Sequence, residues 1–266
     1  MQILKRLLDF YIQSSIHVGL AVLSLVYITL FSNDLVKHSL YPCCVFFGTI
    51  VGYNFLKYFE VFTKNNFYFK KRYGILGVSL SAIIGFFYFF LLLNTNVQIH
   101  ILIAGLFVLT YPFLRKHGWL KLFLVSFVVT YVTVYIPYQD TKWLPFDYDV
   151  SLVQRFLIVI SLLMPFEILD SKIDSKTLNT LPQLFGIIRA KVFGFLLVIP
   201  FLVLEFLKSN PSYLVLPVGI VTVLFINYTE FKRNKYYTSL WVESVPILWL
   251  LIFFFVKDQG FEIFLC

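Results

Sequence analysis

Apolar residues dominate successive stretches of about twenty residues along nearly the whole chain. A helix rises about 1.5 Å per residue, so roughly twenty residues cover the roughly 30 Å of bilayer hydrocarbon. Nothing else in the sequence constrains the fold as strongly. A segment inside hydrocarbon must satisfy its own backbone N–H and C=O groups, and a helix does so unaided. Of 266 residues only 14% are charged, and mean hydropathy is +0.83. A soluble domain would carry about 25% charged residues. That shortfall excludes an ordinary cytosolic enzyme and a disordered chain. Cys43 and Cys44 sit together in an apolar stretch and Cys266 ends the sequence, so no disulfide framework or cysteine metal site is spelled out.

Polar punctuation divides the chain into nine expected spans. They run approximately Tyr11–Phe31, Ser39–Phe62, Tyr73–Leu93, Val97–Leu114, Trp119–Pro137, Val150–Leu169, Ile187–Leu207, Pro211–Tyr228 and Leu240–Val256. The chain thus reads as an all-α polytopic membrane protein, one transmembrane domain over residues 1–266. Nine spans put the termini on opposite sides. Sixteen Lys and Arg residues fall at the N-terminus and in the even-numbered loops, and four fall on the other side. The positive-inside rule then places the N-terminus in the cytoplasm and the C-terminus outside. A bacterial inner membrane is the expected location. The net charge of +8 is mainly this topology signal, and no basic soluble domain exists to bind nucleic acid.

Chemistry concentrates after the sixth span, where Met164–Gly186 reads MPFEILDSKIDSKTLNTLPQLFG. Glu167, Asp170 and Asp174 stand at i, i+3 and i+7, one face of a continuous helix. Three like charges at the end of an apolar helix repel unless a cation neutralises them. Oxygen ligands at a membrane surface suit Mg²⁺, which commonly bridges carboxylates to substrate phosphates. Lys172 and Lys176 are candidate phosphate contacts. A solvated acidic helix end with solubilising lysines is the plainer alternative.

The same segment resembles the second aspartate-rich motif of the UbiA prenyltransferase family, roughly D-x-x-D-x-x-x-D followed by T-L-x-x-x-L-G. Asp170 and Asp174 match the last two acids, and Glu167 takes the place of the first. Thr180, Leu181 and Gly186 resemble the trailing segment, about one residue shorter. The resemblance implies a bundle of nine transmembrane helices around a central cavity, with acidic motifs at the cytoplasmic ends of the second and sixth. It implies transfer of a polyprenyl group from its diphosphate to a lipophilic or aromatic acceptor. Mg²⁺ would be held by Glu167, Asp170 and Asp174, with Asp170 and Asp174 catalytic.

The family's first motif, N-D-x-x-D-x-x-x-D, is degenerate here, where the chain reads GYNFLKYFEVF. Asn54 matches the opening residue, and Phe55, Tyr58 and Phe62 occupy the acid positions. Asn54, Lys57 and Tyr58 share a helical face and are expected to contact the diphosphate. Lys57 would stand in for one metal ion, or else snorkel and pair with Glu60. Arg115 and Lys116, after Tyr111-Pro112, are further phosphate candidates, and Glu243 is expected at the cavity mouth. Gly48 with Gly52, and Ser81 with Gly85, form small-residue steps for close helix packing. Loss of the first motif keeps a second function open, a catalytically inactive isoprenoid- or quinone-binding protein on the same fold. An ion-coupled transporter is disfavoured because its ionisable groups belong near the midplane. The D-G-x-x-A-R element of CDP-alcohol phosphatidyltransferases is absent.

Overall fold

The structure is a computed structural model that describes residues 2–33, 35, 40–63, 73–114, 118–139, 145–172 and 178–257, without the side chains of 59–63 and 257. Among the described residues all regular structure is helical. The helices are α1 Gln2–Gln13, α2 Ile16–Ser32, α3 Tyr41–Thr63, α4 Tyr73–Leu92, α5 Thr95–Leu114 and α6 Gly118–Thr130. They continue with α7 Phe146–Asp170, the short α8 Leu181–Phe185, α9 Ile187–Glu205, α10 Val215–Asn227 and α11 Val245–Lys257. A π-helical stretch, Tyr131–Tyr135, and a 3₁₀ turn, Ile136–Tyr138, extend α6, and a second π stretch, Tyr237–Val242, leads into α11.

Each expected span carries helix. Among the described residues six segments are long and apolar enough to cross a membrane, and α1 with α2 makes a seventh if that pair is one bent span. The other two spans correspond to α3, whose inner end carries Asn54 and Lys57, and to α10, which has 13 residues. The first span differs from expectation. The helix breaks at Ser14–Ser15, where Ser15 adopts φ 63°, and α1 turns 57° from α2. Tyr11 therefore belongs to α1. Exposed Ile3, Leu7 and Phe10 form an apolar stripe on α1, away from Lys5 and Asp9, the pattern of a helix lying in the membrane interface.

The helices close into a ring. α2 packs on α3 and α11, α3 on α4 and α5, α5 on α6, α6 on α7, α7 on α9, α9 on α10, and α10 on α11. Glycines set the close contacts on one side. Gly48 lies against the ring of Phe86, and Gly85 against that of Phe47, so α3 and α4 exchange aromatic side chains into each other's gaps. Ser81, expected to share that step, is exposed and bonds back to the Val78 carbonyl instead.

The main core gathers Leu25, Ile28 and Phe31 of α2, Ile158 and Val159 of α7, Phe201 of α9 and Phe253 of α11. Arg155 is buried within it at 5% exposure. Its Nη2 donates to Thr29 Oγ1 at 3.2 Å and its guanidinium lies 5.2 Å from the Trp249 ring centre, linking α7 to α2 and α11. At the same end of α9, buried Glu205 accepts from Gln154 Nε2 at 2.9 Å and from Lys208 at 2.8 Å. The main core lies away from α7's C-terminus, and a second cluster of Leu122, Ile160, Met164, Ile168, Ala190 and Ile226 packs near it. Most polar side chains with functional potential lie at the other end.

Candidate functional site

Three groups of residues meet at the end of the ring where α7 terminates. The first comes from α7 itself. Pro165 lies within the helix one turn before its end, and Glu167 is buried. Glu167 Oε1 stands 3.1 Å from Lys121 Nζ, and both side chains are less than a tenth exposed. Lys121, inside the expected span Trp119–Pro137, sits in the first turn of α6 with its charge buried. Asp170 is the last helical residue and is exposed. The helix therefore stops one turn short of the register that would carry all three acids on one face. Asp174 and Lys176 lie outside the described residues, as do Arg115 and Lys116. Lys172 is described, and its ammonium lies 5.8 Å from the centre of the Phe231 ring.

The trailing Thr-Leu-Pro-Gln-Leu-Phe-Gly stretch has a clear local role. Gln183 Oε1 accepts from the Thr180 N–H at 3.2 Å, and Gln183 Nε2 donates to the Ser171 carbonyl at 3.3 Å, so α8 is tied to the end of α7. Gly186 has φ 85°, a conformation that favours glycine, and it turns the chain into α9. Gly118 abuts the same loop. A Cβ there would stand 2.2 Å from the Leu178 carbonyl oxygen and 2.7 Å from the Thr180 nitrogen. Those are backbone atoms and cannot swing aside, so only glycine lets α6 enter beside the acidic turn.

The second group comes from α3 and grips the elbow between α1 and α2. Asn54, 5% exposed, accepts from Ser15 Oγ at 2.6 Å and donates to the Ser14 carbonyl at 3.1 Å and to Ser79 Oγ at 2.9 Å. Lys57 Nζ donates to the carbonyls of Ile12 and Gln13, both at 3.3 Å, and the Tyr58 hydroxyl donates to Gln13 at 3.0 Å. A lysine and a phenol on the terminal carbonyls of a helix suit the negative end of its dipole. All three residues expected to hold diphosphate thus converge on one spot, and the partners described there are backbone and serine groups. Asn54→Ala should cost about 2 kcal/mol, because the elbow's serine and carbonyl lose their buried partner. Thermal unfolding in detergent measures this, and an unchanged midpoint would show that water replaces the amide.

The third group stands opposite, on the strand of chain entering α11. Glu243 follows the π stretch Tyr237–Val242, an irregularity often found at functional positions. Its carboxylate accepts a hydrogen bond from Tyr53 and is attracted by the Lys57 ammonium. Tyr53 in turn lies within electrostatic range of Asp170 and Tyr111. Tyr53 is 38% exposed and Glu243 is half-buried. Asp170 on α7 and Glu243 before α11 therefore face a common tyrosine, with Lys57 beside it. Tyr53 is a candidate residue that sequence reading missed. It directly precedes Asn54 on a different helical face, so only neighbours distant in sequence identify it.

The elbow is held from below as well. His17 bonds Tyr11 through Nδ1 and the Leu240 carbonyl through Nε2, each at 2.9 Å, which joins α1, α2 and the π stretch. Asp9 Oδ1 lies 2.6 Å from Lys235 Nζ and 2.7 Å from the Tyr236 hydroxyl. Those two hydrogen bonds hold the Asp9 carboxyl below its ordinary value of 3.8. A lowered carboxylate favours the closed contact above that ordinary value and loses its effect as pH falls through the lowered one. Hydrogen exchange in α1 should therefore be flat from neutral pH to about pH 5, once corrected for intrinsic rates, and rise only in stronger acid. A rise already at pH 6 would show that another group governs the elbow.

No protein-family model matches the chain, and no curated protein matches it in sequence. Its fold is similar to the solved apo structure of a UbiA homolog from Aeropyrum pernix K1, with a TM-score of 0.67. The two chains are 16% identical over an alignment covering 91% of this chain and 98% of that one. The chain is a multi-pass, all-helical integral membrane protein with a UbiA-like fold.

Proposed function

We propose that the protein is an intramembrane prenyltransferase that moves a polyprenyl group from its diphosphate to a lipophilic or aromatic acceptor. The observation that carries this reading is the convergence of Asp170, Tyr53, Glu243 and Lys57 at one mouth of a UbiA-like helical ring. The apolar interior suits an isoprenoid tail, and the polar mouth suits a diphosphate. Nine spans with a cytoplasmic N-terminus would put that mouth on the cytoplasmic side, as the basic loops suggest.

The donor set fits Mg²⁺ in part. Asp170 is accessible at its helix end, and with Asp174 it would offer hard oxygen ligands for a metal shared with the diphosphate. Glu167 has Lys121 at 3.1 Å, so its charge is already balanced and it serves better as the anchor of that lysine than as a metal ligand. Bound Mg²⁺ would draw charge from the departing diphosphate. The chain's own residues do the rest. Lys57, fixed by two carbonyls of α1, would direct its charge toward the diphosphate, and Lys121, Lys172, Lys176, Arg115 and Lys116 would add to the positive rim. Tyr53 would fix the direction of Glu243, and the surrounding helices would exclude water from the allylic cation. As the carbon–oxygen bond breaks, the electron pair leaves with the diphosphate; an acceptor carbon forms the new bond to the allylic cation and then gives up its proton to water or to the diphosphate.

The test is release of diphosphate from labelled prenyl diphosphates by purified protein with Mg²⁺, and its loss on chelation. Release that ignores Mg²⁺ would overturn the metal assignment. A second reading, an isoprenoid- or quinone-binding protein without turnover, is favoured by α3. Its Asn54, Lys57 and Tyr58 hold the α1–α2 elbow, and Phe55, Tyr58 and Phe62 stand where the family resemblance leads one to expect acids. Saturable binding of the prenyl diphosphate with no release would select it.

A further inference from the structure

A groove of about 450 Å³ lies outside the central site, between α10 and the turn leading to α11, lined by Val221, Leu224, Phe225, Tyr228, Arg233 and Tyr237. Val221, Leu224, Phe225 and Tyr228 follow i, i+3, i+4 and i+7, one stripe about 10 Å long on the helix. Leu224 and Tyr228 are 46% and 55% exposed, so the stripe faces outward, where lipid surrounds the ring. Tyr237 closes one side. Its hydroxyl donates to the Phe225 carbonyl at 2.6 Å, and its ring lies 5.3 Å from the Arg233 guanidinium.

Two cations meet at the polar end of this stripe. Lys191 of α9 donates to the Asn227 carbonyl at 2.7 Å, and Arg233 Nε donates to the Tyr228 carbonyl at 2.9 Å. The carbonyls belong to consecutive residues, so both cations are held at the C-terminal end of α10. Among the described residues neither has a carboxylate at ion-pair distance. The negative end of α10's dipole accounts for one donor from each. Further N–H donors of Arg233 and Lys191 remain beyond those two hydrogen bonds. An apolar trough, a tyrosine pair and two cations match one class of molecule in a bilayer.

We propose that this groove binds an anionic phospholipid, its phosphate between Lys191 and Arg233 and an acyl chain along Val221, Leu224, Phe225 and Tyr228. The net negative headgroup is selected by the two cations, and the trough holds the chain against the ring. The site stands apart from the prenyl reaction proposed above and does not depend on it.

The experiment titrates delipidated protein in detergent with phosphatidylglycerol and with phosphatidylcholine of the same acyl chains, one fluorescent chain in each. Juxtamembrane cations favour anionic lipid roughly five-fold apiece, so phosphatidylglycerol should bind on the order of twenty-fold more tightly. Lys191→Gln with Arg233→Gln should abolish that preference, and the charge-keeping pair Lys191→Arg with Arg233→Lys should retain most of it. Leu224→Trp, which fills the trough and spares the cations, should weaken both lipids. Melting curves confirm that each variant is folded. Equal affinity of the wild type for the two lipids, or a preference surviving in the double Gln variant, would overturn the proposal. So would displacement of phosphatidylglycerol by an equal concentration of geranylgeranyl diphosphate, because the groove would then be a substrate portal.

Discussion

Lys121→Met should destabilise the protein by about 3–5 kcal/mol, the cost of leaving a buried carboxylate without its counter-charge. The pair is 3.1 Å apart, with side chains 8% and 9% exposed. Water cannot take over the role of the missing partner at that depth, which separates this case from an exposed pair worth under about 1 kcal/mol. Glu167→Leu should be similarly costly, because it strands the ammonium. The double variant Lys121→Met, Glu167→Leu should recover most of the loss, since two apolar side chains of similar volume dispense with both desolvation penalties. Unfolding of the four proteins in mixed micelles closes the cycle. Additive losses, with no recovery in the double variant, would mean that the two charges act through different neighbours. The result bears on chemistry too. If the cycle couples strongly, Glu167 is held by a protein cation, and any metal at this end must rely on Asp170 and the acids beyond it.

The long apolar helices were legible because hydrocarbon imposes a length and a composition, and six of the described segments meet both. Helix α4, expected at Tyr73–Leu93, runs Tyr73–Leu92, and α9 begins at Ile187 as expected. The break at Ser14–Ser15 was not legible. Serine does not forbid helix, and the left-handed Ser15 is held by Asn54, 39 residues away. The ion pair of Lys121 with Glu167 was not legible for a related reason. A lysine at the boundary of a loop and a span has the same local sequence signal whether it points to water or inward, and only the packing of α6 on α7 decides. The spacing argument for the acidic cluster assumed helix beyond Asp170, where α7 stops. Glu243 was placed at a mouth from its position in the span alone, and its partners Tyr53 and Lys57 come from α3. Conformation set by contacts far apart in sequence is what local pattern leaves out.

Asp170→Asn should reduce diphosphate release at least about 100-fold while leaving the melting temperature nearly unchanged. Removing one preorganised charge-stabilising group costs on the order of 10²–10³ in turnover when charge develops against it in a water-poor site. Asp170 is exposed at the end of α7, so its replacement should spare the fold. That separation of activity from stability distinguishes it from Glu167, whose loss should damage both. Tyr53→Phe offers an internal comparison. It removes the hydroxyl that directs Glu243 and lies within electrostatic range of Asp170, yet keeps the ring. If the three groups work as one site, Tyr53→Phe should lower turnover by about ten-fold, about what one lost charged hydrogen bond allows. Adding it to Asp170→Asn should then cause little further loss, because residues that act together are not additive. Independent, multiplying losses would separate Glu243 and Tyr53 from the chemistry at Asp170. The protein would then have an acidic diphosphate end and a separate polar wall, a layout better suited to holding an isoprenoid than to transferring one.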